Sequence, residues 1–135
     1  MVPSHFYRQS AALPYRQGDD GLEVLLITSL RKKTWIFPKG VVEPDMTPWE
    51  SAEKEAWEEA GVGGRITQEP LGEYETEKWG GVCRIEVFPM CVEHEARVWP
   101  EMRVRKRRWA KVKEARRLVS KKELKDLLAS LPKSL

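Results

Sequence analysis

Three glutamates stand within five residues in the stretch "EKEAWEEAG", at Glu55, Glu58 and Glu59. On a helix they fall within about one turn, where like charges three and four residues apart each cost a few tenths of a kcal/mol. Such crowding becomes favourable when a cation sits in front of the carboxylates. Hard divalent cations take oxygen ligands, and Mg²⁺ keeps coordination places for water and substrate phosphates. The segment upstream carries the complementary charge. "FPKG" places Lys39 and Gly40 just ahead of the glutamates, with Arg31, Lys32 and Lys33 a few residues earlier. Acids for a metal beside bases for phosphate make a coherent site for phosphate chemistry. The plain alternatives are a solvated Glu-rich face, with Lys54 paired to Glu58, and a basic hairpin loop.

The helix that must hold these glutamates is the clearest element in the chain. In "TPWESAEKEAWEEAG", Thr47 can cap, Pro48 suits the first helical position, and Glu50 closes a capping box. Gly61 supplies the stop. At about 100° per residue, Trp49, Ala52, Ala56 and Ala60 share one side, small enough to lie close against a sheet. The three glutamates take the adjacent side. Upstream, "AALPYR" (11–16) and "LEVLLITS" (22–29) flank the turn cluster "QGDDG" and read as a hairpin. "WIFPKG" reads as a short strand closed by Pro38 and Gly40. Downstream, "GRITQ", "LGEYETEKW" and "GVCRIEVFPMCVE" read as strands, with Gly80 and Gly81 in a hairpin turn. "RKRRWAKV" reads as a last strand and "VKEARRLV" as a short helix. Ser120 with Glu123 predicts a second capping box opening "KKELKDLLASL", whose Leu124, Leu127, Leu128 and Leu131 make one apolar stripe. Strands, helix, strands, helix predict an α+β fold with helices on the faces of one sheet, as a single domain over 1–135.

Composition is that of a globular chain, 41% hydrophobic and 33% charged. The net charge of +3 hides an uneven distribution: residues 41–101 hold fifteen acids and five bases, residues 103–117 nine bases and one acid. An acidic centre beside basic segments suits a metal next to a polyanion. The longest apolar run, "LEVLLI", is far short of a membrane span. "MVPSHFYRQS" carries no signal-peptide pattern, and Cys83 and Cys91 form no framework, so the expectation is a reduced, cytoplasmic setting without a membrane partner. Both cysteines share strand parity with Ile85 and Val87 and are expected to fill core.

"GVVEPDMTPWESAEKEAWEEAGV", Gly40 to Val62, resembles the Nudix box, G-x5-E-x7-R-E-U-x-E-E-x-G-U with U apolar. Gly40, Glu55, Ala56, Glu58, Glu59, Gly61 and Val62 fall on its fixed positions. Met46 stands where the family has Glu, and Lys54 where it has Arg. "WIFPKG", "WEEAGVGG", "LGEYE", "VWPE" and "RVRKRRW" extend the likeness toward the branch that cleaves diphosphoinositol polyphosphates and diadenosine polyphosphates.

The resemblance implies an α/β/α sandwich around a mixed sheet, with the box forming a loop–helix–loop. It implies Mg²⁺-dependent hydrolysis of a phosphoanhydride, with Mn²⁺ as an alternative ion. Glu55, Glu58 and Glu59 would ligate the metal, one of them serving as or orienting the base, with a backbone carbonyl in the Lys39–Gly40 turn. Lys54 would orient the glutamates with a point contact in place of a bidentate fork. Met46 offers no carboxylate, leaving Glu43 or Asp45 as substitutes. Lys39 reads as a phosphate contact, and Arg31, Lys32 and Lys33 as contacts to a distal phosphate. Arg105, Arg107 and Arg108 would help attract the substrate. One of Glu93, Glu95 and Glu101 could add a ligand or base, with no ground for choosing among them. Trp35 reads as core in preference to a stacking platform, and Trp79 as either a lid residue or a half-buried hairpin aromatic. The partner is a small-molecule polyphosphate, with nucleic acid disfavoured and the oligomeric state open. A nucleoside-diphosphate-sugar or RNA 5′-end pyrophosphohydrolase, a non-catalytic nucleotide sensor, and an RNA binder using 103–117 stand as alternatives.

Overall fold

The computed structural model describes residues 6–78 and 80–135; Trp79 lies outside them. One mixed sheet dominates. β1 (Phe6–Gly18) and β2 (Gly21–Thr28) form the expected hairpin, paired from Tyr15–Val24 to Gly18–Gly21. β1 also runs parallel to the long β7 (Gly81–Glu95), from Phe6–Val82 to Tyr15–Cys91. β3 (Trp35–Ile36) and β8 (Arg107–Lys111) pair with β2, β4 (Lys39–Val41) with β1, and β5 (Val62–Ile66) and β6 (Gly72–Lys78) with β7. The β6–β7 hairpin closes at Lys78–Gly81, with Gly80 at φ +72° where glycine alone is unstrained.

Consecutive residues of a strand face opposite sides, so the unbroken apolar run Val24–Ile27 feeds two cores. Leu13, Val24, Leu26, Ile85 and Val87 pack under Leu124, Leu128 and Leu131 of α3 (Lys122–Ser134) and Ala115 of α2 (Val112–Leu118). Ala12, Leu25, Ile27, Phe88 and Met90 pack under Ala52, Ala56 and Ala60 of α1 (Pro48–Glu55) and the π-helical turn Ala56–Ala60 that continues it. Helices therefore cover both faces, as expected of the sandwich.

The capping box at Thr47 is present: its hydroxyl accepts from the Glu50 amide while Glu50 accepts from the Thr47 amide. Gly61 ends the helix in the left-handed conformation, φ +68°. The expected box at Ser120 is not formed. α3 begins one residue later, with Lys121 extended at its N-terminus and no side-chain cap, which carries Ser120 out of reach of the helix amides. "WIFPKG" is also not one strand. Phe37 and Pro38 separate β3 from β4, and Gly40 lies within β4, where it pairs with Ser10. Cys83 is core, but Cys91 is half-buried beyond the irregular register of β5 against β7.

Candidate active site

The helix end that carries the glutamates is gripped from two sides. On one side is β4. The Lys39 amide donates to Glu59 Oε1 at 3.1 Å, and the Gly40 backbone lies so close to Glu55 that a Cβ there would stand 2.4 Å from its Cδ. On the other side are the loop 96–106 and the first residue of β8. Arg107 donates to the Ala60 carbonyl at 2.9 Å, the Trp99 indole to the Glu59 carbonyl at 3.1 Å, and the Glu101 amide to the Glu58 carbonyl at 3.0 Å. These are carbonyls that a helix C-terminus leaves unpaired, and a guanidinium also complements its negative dipole. Arg107 further stacks 3.8 Å over the Trp99 ring.

The three glutamates do not share one environment. Glu55 and Glu59 are buried and face one cavity of about 460 Å³. Glu58 is a third exposed and pairs with Lys54 Nζ at 2.8 Å; the same ammonium reaches Glu43 Oε1 at 3.2 Å, which raises the Lys54 pKa. Among the described residues, no three Asp, Glu, His or Cys side chains converge as a metal-binding group. The widened π-helical turn and the pull of Lys54 set Glu58 apart from the other two. Lys54 itself lines a separate outer pocket with Met46, Glu50, Glu53 and Trp57.

Burial and the neighbouring Glu58 raise the Glu55 pKa. Burial pushes Glu59 up to about 7, against the opposing pull of Arg105 and the Lys39 amide. Arg105 is the partner that keeps Glu59 in place: Nη2 stands 3.1 Å from Glu59 Oε2, Nε 3.0 Å from Glu101 Oε1, and Nη1 donates to the Thr28 carbonyl at 3.0 Å. Two adjacent buried carboxylates are costly unless a cation joins them. Their hard oxygens and close approach fit a divalent ion such as Mg²⁺.

The same cavity is lined by Gln9, Arg31, Lys39, Gly40 and Lys78. Lys39 Nζ donates to Gln9 Oε1 at 3.2 Å, and burial, reinforced by Lys78, lowers its pKa to about 8. Lys39, Gly40 and Arg31 thus line one cavity with Glu55 and Glu59, although the Lys39–Gly40 segment is strand, not turn. Lys32 is exposed outside this cavity, and Lys33 lines a neighbouring one. Arg105 is a buried structural pair and not an exposed attractor, Arg107 caps the helix, and Arg108 pairs with Glu114. Of the three candidate acids after β7's core, Glu101 reaches the site through Arg105; Glu93 pairs with Arg65, and Glu95 with Arg107. Gln9 and Lys78 carried no sequence signal, because strand pairing alone brings them beside Lys39. Trp35 is half-buried against the core of α2 and α3.

Comparison with known proteins agrees with this architecture. Residues 7–131 match the NUDIX domain family. The chain is 37% identical over 134 residues to Nudix hydrolase 13, mitochondrial, of Arabidopsis thaliana, covering 83% of this chain and 66% of that protein. It is 34% identical over 116 residues to diphosphoinositol polyphosphate phosphohydrolase 3-beta of Bos taurus, covering 84% and 69%. The chain spans just under two thirds of the Arabidopsis protein's length. In three dimensions it is similar to the Ap4A hydrolase of C. elegans in a binary complex, with a TM-score of 0.75 at 20% identity over 93% of this chain and 95% of that one. The domain match over nearly the whole chain, with a mixed sheet clasping a glutamate-bearing helix, means that the chain belongs to the Nudix hydrolase family.

Proposed function

We propose that this protein hydrolyses a phosphoanhydride bond in a highly phosphorylated small molecule, a dinucleoside polyphosphate or a diphosphoinositol polyphosphate, with Mg²⁺ or Mn²⁺. The observation that carries the reading is the cavity itself: two buried carboxylates, Glu55 and Glu59, share it with Arg31, Lys39 and Lys78. The acids favour a bound cation, and the partly desolvated lysine favours a bound anion. A metal–polyphosphate complex satisfies both at once.

When bound, the cation neutralises phosphate charge and acidifies water. The chain's own groups supply positioning and electrostatics, which carry most of a phosphoryl transfer. Glu59 is held at both oxygens, by the Lys39 amide and by Arg105, so its orientation is set before substrate arrives. Glu55 lines the same cavity, where its carboxylate can take the proton of the attacking water. Arg31 and Lys39 hold the phosphates against it, and Gly40 leaves the room that the Glu55 carboxyl occupies.

The test is product analysis by ion-exchange chromatography after incubation with diadenosine tetraphosphate, a diphosphoinositol polyphosphate and an ADP-sugar, each with Mg²⁺, Mn²⁺ or EDTA. Metal-dependent cleavage of either of the first two supports the reading. Cleavage of the ADP-sugar alone would move the substrate class. Binding without cleavage of any would make the chain a sensor.

A further inference from the structure

Glu95 ends β7 outside the carboxylate cavity. Its carboxylate is nevertheless taken up from three sides. Oε2 lies 3.3 Å from Arg107 Nε, the Trp109 indole donates to Oε1 at 3.2 Å, and Arg16 Nη1 stands 3.8 Å from Oε1. Arg16 is itself stacked 3.9 Å over the Trp109 ring. β1, β7 and β8 therefore meet at this one side chain. For Arg107 the consequence is a guanidinium engaged at every nitrogen: Nε by Glu95, Nη1 by the Ala60 carbonyl, and Nη2 by the Ala96 carbonyl at 2.6 Å. Its face rests on the Trp99 ring. A planar fork held in this way has a single orientation. Trp99 is the next link, because its indole donates to the carbonyl of Glu59 itself. Gly61 shows how closely the pieces fit: a Cβ there would stand 2.7 Å from Arg107 Nη1 and from Trp99 Cγ. The path from Glu95 to the backbone of Glu59 thus runs through Arg107 and Trp99.

We propose that Glu95 is a positioning residue of the carboxylate site: it sets the Arg107 guanidinium, and Arg107 with Trp99 sets the backbone from which Glu59 projects. The Lys39 amide and Arg105 orient the carboxyl end of Glu59, and the clamp behind it orients the root. The last turn is π-helical, and its carbonyls have no further helical amides to accept from, so the hold has to come from outside the helix. Arg107 and Trp109 occupy the Glu95 carboxylate, which takes it out of the choice of metal ligand or base. The inference rests on the hydrolase reading for what the positioned carboxylate does.

Two variants and a control test it on the whole chain. Glu95→Ala removes the hub, and Arg107→Lys keeps the charge but gives up the planar fork. Glu95→Gln, which keeps the size and an acceptor for the Trp109 indole, serves where alanine does not fold. Val119→Ala thins the core under α2 and α3, on the opposite face of the sheet, and stands for a plain loss of stability. Steady-state kinetics with the polyphosphate that the protein cleaves, well below melting, should show kcat about tenfold lower in the Glu95 and Arg107 variants and unchanged in Val119→Ala. KM should stay within about twofold, because the loss falls on the transition state. Hydrogen exchange of the metal-free chain gives a second readout. The Gly61 and Glu101 amides, bonded to the Trp57 and Glu58 carbonyls, should exchange roughly tenfold faster in the Glu95 and Arg107 variants than in Val119→Ala. Wild-type kcat in the folded Glu95 and Arg107 variants, an equal fall in Val119→Ala, or a rise in KM alone would overturn the proposal. Failure of the wild type to cleave any phosphoanhydride would remove the hydrolase reading instead, and unchanged exchange at Gly61 and Glu101 would then overturn the clamp by itself.

Discussion

Arg105 Nη2 stands 3.1 Å from Glu59 Oε2, and the two side chains are only 7% and 9% exposed. The pair joins the helix that carries the glutamates to a loop 46 residues further on, and it takes up a task that the helix's own Lys54 does not reach. Lys54 holds Glu58 and Glu43 by single contacts. The guanidinium beside Glu59 comes from across the site. Arg105→Leu would leave a buried carboxylate without its cation, so about 3 kcal/mol of stability should be lost at pH 8 without metal. Urea denaturation measures this, and a loss below about 1 kcal/mol would show that Glu59 does not depend on Arg105.

Burial gives Glu59 a pKa of about 7 in the folded chain, against an ordinary value of 4.5. Its folded value lies above its unfolded one, so its contribution to stability is full below about pH 4.5 and is lost as pH rises through 7. The rise from 4.5 to about 7 corresponds to an order of magnitude of 3 kcal/mol. Glu55 is shifted in the same direction. The metal-free chain should therefore melt lower at pH 8 than at pH 5 relative to Glu59→Gln, and Mg²⁺ at pH 8 should recover part of the difference. Scanning calorimetry of both proteins, with and without Mg²⁺, checks it; parallel pH profiles would contradict it.

Glu59→Gln keeps the size of the side chain and removes the charge. Turnover should fall on the order of 10²–10³-fold with the fold intact, in line with the loss of one electrostatic contact at a preorganised site. Steady-state kinetics beside circular dichroism decide it. Full activity in a folded variant would sink the assignment of Glu59 to the site.

Gly40→Ala separates function from fold. The new methyl would meet the Glu55 carboxyl, the far end of a flexible side chain, so Glu55 should move while β4 stays paired. Activity should drop by about tenfold or more, since a displacement of about 1 Å at such a site can cost 10²-fold. The melting temperature should change by only a few degrees. Gly64→Ala is the contrast, because its methyl would stand 1.9 Å from the Cys91 backbone oxygen, which cannot yield. That variant should lose stability or fail to fold.

Met46 lines the outer pocket with Lys54 and Trp57, not the cavity of Glu55 and Glu59. Met46→Glu should therefore keep kcat/KM within about twofold, the range of a surface substitution. A large loss would reveal a packing role for the methionine.

Local chemistry was legible without a structure. Thr47, Pro48, Glu50 and Gly61 bound the helix through contacts a few residues long, so its limits follow from sequence. The leucine stripe of α3 and the two-faced apolar strands follow from periodicity in the same way. The likeness to the Nudix box, and not periodicity, suggested that Glu55, Glu59, Lys39 and Gly40 belong to one site; the contact between Lys39 and Glu59 spans twenty residues. The pairing of Glu58 with Lys54 was legible as an i,i+4 contact, but the π-helical turn that adds to its separation was not, because a 3.6-residue wheel has none. Nor was the role of Arg105. In sequence it is one base among nine between residues 103 and 117, and only the pairing of β8 with β2 and the path of the loop before it bring that guanidinium to Glu59. A local pattern named the carboxylates and bases proposed to meet metal and phosphate. Contacts between distant segments, whose partners no local pattern names, decided which carboxylates are buried and which cations are already paired.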